Sequence, residues 1–118
     1  MEVQVLFADR DGLGGRWFDQ VAIVNAPDHY DTQHALEYAF RRTQNIEGSW
    51  SMGETIQFDG DTIPNFDYNP NVIVVKPLSK YEDGVERGHR SAMMYDRMIV
   101  DGEIYEVDAF GFRKLEVA

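Results

Sequence analysis

The chain has no cysteine. Disulfides, thiolate metal sites and a cysteine nucleophile are therefore excluded. The absence suits a cytosolic protein without fixing the compartment. No apolar run approaches the ~18 residues of a membrane span. The first residues, Met1 to Phe7, lack the basic region of a secretory signal, so the chain is expected to begin with its own domain. Positive charge is also scarce. Eleven Lys and Arg stand against 21 Asp and Glu, a formal charge of −10 over 118 residues. Residues 1–40 hold only Arg10 and Arg16 against seven acids, a net −5. A field of this sign repels phosphates, so direct binding of duplex nucleic acid is disfavoured. It confers solubility, and it also fits a partner with a basic surface, including one that normally holds nucleic acid.

What is present is enough to fold. The chain is 43% hydrophobic and 13% aromatic, which rules out a wholly disordered chain, and its length fits one domain, 1–118, with one core. Val3, Val5 and Phe7 alternate with Glu2, Gln4 and Leu6, which predicts a half-buried strand over 2–8. The turn cluster DRDGLGGR (9–16) and a second β-rich run, 17–24, complete a long-looped hairpin. Asp31 is the expected N-cap of a helix over about Thr32–Gln44. Leu36, Ala39 and Phe40 face the sheet, while Gln33, Glu37 and Arg41 face water. Residues 45–70 read as a long irregular loop with a short strand near 55–58, ordered by Trp50, Phe58, Phe66 and Tyr68. NVIVVKP (71–77) reads as a buried central strand, and 78–90 as a charged loop. The last strand, 112–117, is placed at an edge.

DRMIVDGEIYEVDAFGF (96–112) is the most legible stretch. Asp101-Gly102 predicts a two-residue type I′ turn. That register opposes Val100 to Glu103, Ile99 to Ile104, Met98 to Tyr105 and Arg97 to Glu106. Met98, Tyr105 and Val107 share the core face, and Arg97–Glu106 forms a cross-strand ion pair worth a few tenths of a kcal/mol. The hairpin leaves Asp96, Asp108 and Phe110 to Phe112 unexplained. The expected architecture is α+β: a mostly antiparallel, twisted sheet of five or six strands with one main helix, with closure toward a small barrel as an option.

No catalytic constellation stands out. Asp9 and Asp11 have the first spacing of a calcium loop, but the sixth and twelfth positions are Gly14 and Gln20, so turn chemistry outweighs a metal. Asp59, Asp61 and Asp67 match no better. His29 and His34 lie five apart, off the spacing of a zinc-binding helix. The glycines of DGLGGR follow no phosphate-binding pattern, and no nucleophile elbow supports a serine site. No enzyme, metal or cofactor is expected. Two surfaces remain. One is acidic, with Asp9, Asp11, Asp59, Asp61, Asp67 and Trp50 meeting a protein partner. The other is a nucleotide-like ligand site of Trp50, Arg87 and Arg90. The competing reading of Trp50 is a core plug under its loop.

LEYAFRRTQNIEGSW (36–50) and HRSAMMYDRMIVDGEIYEVDAFGFRKL (89–115) together resemble short proteins of phages and mobile elements. In that group a helix ends in a Thr-Gln-Asn…Ser-Trp run, and an Arg-Ser-x-Ser-x-x-Asp-x-Ile segment leads into a hairpin and a Gly-Phe close. The second segment is also similar to the YodL-like domain of plasmids and conjugative elements. The matches are Thr43, Gln44, Asn45, Ser49 and Trp50, then Arg90, Ser91, Asp96, Ile99, Gly102, Tyr105, Val107, Asp108, Gly111 and Phe112. Met93 replaces the group's second Ser, and Tyr95 replaces a Gly before Asp96. The resemblance implies a genomic context and no particular chemistry. With the charge, it leads to an expected role as an acidic interaction protein in the cytoplasm of an infected cell, binding and inhibiting a host or defence protein. A minor virion or assembly protein is the further alternative. Arg90 is expected to pair with Asp96 or Asp108, either as part of a site or as a junction between helix and sheet.

Overall fold

The computed structural model describes residues 1–10, 16–75, 79–80 and 86–116; the side chains of residues 9, 10, 16, 79, 80, 86 and 87 lie outside that description. Alternation sets β1 (Glu2–Arg10), whose Val3, Val5 and Phe7 are buried on one face. β2 (Arg16–Asn25) returns antiparallel beside it. Val5 opposes Ala22, but Leu6 opposes Gln20, so Val21 is the extra residue of a bulge. The predicted turn between these strands falls on residues 11–15, outside the described residues.

Helix α1 (Thr32–Arg42) begins where expected. The Asp31 carboxylate accepts the His34 N–H at 2.8 Å, replacing one orphaned intrahelical bond. Ala35, Leu36 and Ala39 are buried against β1 and β2. The helix ends at Arg42, two residues before Gln44, and is capped by Thr43, whose hydroxyl donates back to the carbonyls of Ala39 and Phe40. Beyond it come β3 (Thr55–Phe58), β4 (Asp61–Pro64), β5 (Val72–Val74), β6 (Ser79–Lys80), β7 (Glu86–Arg87), β8 (Arg97–Val100), β9 (Glu103–Asp108) and β10 (Gly111–Leu115).

The main sheet has the order β10-β9-β8-β1-β2-β5, antiparallel throughout, with α1 on one face. The α+β reading holds, with six strands in the sheet. The barrel option does not: β10 and β5 are separate edges, each paired on one side only among the described residues. The central strand expected over 71–77 is corrected too. β5 is an edge strand of three residues, with Ile73 51% and Val75 45% exposed. A short apolar run signals a strand but not its number of neighbours. The β8–β9 hairpin has the predicted register, with Asp101 and Gly102 at φ 50° and 78°. β10 is the expected edge. Two ribbons, β3–β4 and β6–β7, pair only within themselves among the described residues.

Candidate functional site

The segments 36–50 and 89–115 meet where α1 ends. Past the cap, Gln44 donates to the carbonyls of Phe40 and Ala92. The Asn45 side chain spans the gap: its amide donates to the His89 carbonyl, and its oxygen accepts the Trp50 N–H. Ser91 accepts the Asn45 N–H at 2.8 Å, and Ser51 accepts the His89 N–H at 2.7 Å. The strands of chain approach so closely here that a Cβ at Gly88 would lie 2.4 Å from the Ser49 hydroxyl.

Arg90 and Asp96 close this junction onto the sheet. Asp96 is fully buried and accepts four hydrogen bonds: two from Arg90 at 2.7 Å, and one each from Ala8 N–H and Met93 N–H at 2.8 Å. Arg90 also donates to the carbonyls of Ser91 and Ala8, and its guanidinium lies 4.3 Å from the Phe7 ring centre. Four of its five N–H donors are thereby used within the fold. Trp50 is 2% exposed, edge-on to Phe7, stacked with His89, and its indole donates to the Arg90 carbonyl. The proposed ligand pair of Trp50 and Arg90 is therefore a structural clamp. A buried ring and a guanidinium already held bidentately offer little to an incoming phosphate. The Arg87 side chain lies outside the described residues. Tyr95 takes φ 76°, a left-handed conformation uncommon for a residue other than Gly.

The acidic candidates divide. The Asp67 carboxylate sits in a nest of three backbone N–H groups, from Ile46, Glu47 and Gly48, at 2.6–3.0 Å. It orders the loop. Asn65 does the same next door. It accepts from Ser49 N–H and donates to the carbonyls of Ser49 and Gly53. These two polar side chains, together with Trp50, hold residues 45–70. Of the expected aromatic anchors only Trp50 is one; Phe58 is 64% and Phe66 71% exposed, and Tyr68 is exposed as well. Asp9 lies in β1 with its side chain outside the description, and Asp11 lies outside the described residues.

Asp59 and Asp61 come together. They bracket Gly60 at the tip of β3–β4, both exposed, with Phe58 directly opposite Asp61. Glu54 is exposed near the base. Residues 43–75 contain five acids and no Lys, Arg or His. The structure thus presents an acidic ribbon with an aromatic ring at its end. Strand β4 escaped the sequence reading, although Asp59-Gly60 between TIQF and DTIP has the signature of a two-residue hairpin.

Elsewhere, Asp31 at the helix start has its carboxyl held below the ordinary value by the His34 N–H and by the His34 ring at 2.7 Å. Among the described residues, no group of three His, Cys, Asp or Glu is placed to hold a metal ion, and no helix is long and apolar enough to cross a membrane. No family model, no curated protein and no solved structure matches the chain.

Proposed function

We propose that the protein is an interaction module that docks its β3–β4 arm on a basic protein surface. The observation that carries this reading is the exposed Phe58 beside Asp59 and Asp61, within a stretch of 33 residues free of basic side chains. Acidic groups at a rim speed encounter with a basic partner and set orientation, while an exposed aromatic supplies the anchor. The family resemblance makes the partner a host or defence protein, met in the cytoplasm of an infected cell and inhibited by the contact. If that basic surface normally holds nucleic acid, the carboxylates stand in for phosphates, and bound duplex is displaced.

The test is affinity capture from host lysate with three baits: the wild type, an arm variant (Phe58→Ser with Asp59→Asn and Asp61→Asn), and a control neutralised elsewhere (Glu116→Gln). One basic protein should be enriched by the wild type and the control, lost with the arm variant, and weakened by salt. Equal capture by the arm variant, or no enrichment at all, sinks the reading.

A further inference from the structure

The sheet face that α1 leaves uncovered is not polar. The strand registers oppose Leu115 to Ile104, Ile104 to Ile99, Ile99 to Gln4, Gln4 to Ile23 and Ile23 to Ile73. Directly opposed residues project to the same side. One side chain from each of the six strands therefore forms a continuous row across the sheet, and five of the six are aliphatic. Their strand neighbours Val5, Met98 and Ala22 point the other way and are buried with α1. The row lies on the far face. Ile73 is half exposed at the edge, and the remaining members of the row are partly exposed. An antiparallel sheet with one solvated face ordinarily places polar residues there. This row does the reverse.

The charge on this face also differs from the rest of the molecule. Its described charged side chains are Glu2, Glu106 and Asp108 against Arg97 and Arg113, a net −1, while the whole chain carries −10. Glu106 is flanked by Arg97 at 3.6 Å and Arg113 at 3.1 Å, so the charges beside the row are mutually neutralised. Such a face offers nothing to the basic partner of the arm. It complements a second neutral, aliphatic sheet. The molecule is 23 Å across its thinnest dimension, the depth of one sheet and one helix. Six strands span about 24 Å, and two such faces together bury on the order of 1,000 Å², enough for a specific contact.

We propose that two copies of the chain pack sheet to sheet through this face, closing the Leu115–Ile73 row of each on that of the other. The helices then lie on the two outer sides, and the arms remain free. The pairing stands independently of the arm's role.

Sedimentation of the full chain over a micromolar concentration range tests it, alongside the paired variant Ile99→Lys with Ile104→Glu. These two residues are directly opposed, so the exchange leaves a cross-strand ion pair in the same register and spares the fold. The wild type should sediment as a dimer that added salt does not weaken, and the paired variant as a monomer with an unchanged circular dichroism spectrum. Should the paired variant misfold, Ile73→Lys on the edge strand should still loosen the dimer. A wild type that is monomeric throughout overturns the proposal, as does a dimer that survives the paired and edge variants. If a monomeric wild type loses its captured partner on Ile99→Lys/Ile104→Glu, the face serves another protein and the pairing is wrong. The arm variant should remain dimeric, which separates failure here from failure of the arm.

Discussion

Two hairpins in this molecule share one turn and little else. β8–β9 turns on Asp101-Gly102 with φ 50° and 78°, and β3–β4 turns on Asp59-Gly60 with φ 51° and 81°. Each also has a buried polar residue at its root: Asp96, just before β8, and Asn65, just after β4. Yet β8–β9 lies inside the sheet with Met98 and Val100 buried, while β3–β4 exposes nearly every side chain. The turn chemistry is local and blind to this difference. The facing side chains decide it. RMIV and EIYEVD pair at their edges with β1 and β10 and bury Met98, Val100 and Val107 on the α1 side, whereas TIQF and DTIP offer one Ile56–Ile63 pair and end in Pro64. An isolated two-stranded ribbon is marginal in water, so the Asn65 bonds at its base are what fix the arm's position.

Three experiments probe that contrast, from the largest effect down. Asp96→Asn leaves Arg90 without its charge partner and weakens four hydrogen bonds, so it should cost about 3 kcal/mol. Because β8–β9 is part of the core, the loss should appear as a lower urea midpoint for the whole molecule. A loss below about 1 kcal/mol would reduce the pair to an ordinary surface bridge. Asn65→Ala strands the amide of Ser49 and the carbonyls of Ser49 and Gly53, a local cost of about 2 kcal/mol. Hydrogen exchange should quicken across 54–64 while the amides of 97–107 keep their protection. Equal loss in both hairpins would show that the arm is no separate unit. Gly102→Ala and Gly60→Ala install the same left-handed strain, about 1 kcal/mol. Only the first should lower the global midpoint, since the arm can open without unfolding the sheet. Matching shifts would erase the distinction between the hairpins.

The reach of the sequence follows the same line. The β8–β9 register, the Asp31 cap, the buried face of β1 and the inward face of α1 were all legible, because each depends on neighbours within a few residues. The Arg90–Asp96 pair was legible as one of two options. The carboxylate's other partners were not: Ala8 N–H lies 88 residues away, just as the Trp50 indole finds a carbonyl 40 residues on. The Asp67 nest could not be told from a surface acid, since nothing in a carboxylate's identity says whether backbone N–H groups will converge on it.

By itself, then, the sequence determined the strands that alternate, the helix with its cap, the Asp101-Gly102 turn and the −10 charge, all set by periodicity, local dihedral preference and composition. Only the tertiary structure decided that VIV is an edge, that Trp50 is buried, that three backbone N–H groups converge on Asp67 and that Phe58 stands in solvent. Those outcomes depend on which surfaces find a covering partner, and packing across distant segments sets that, not any local pattern.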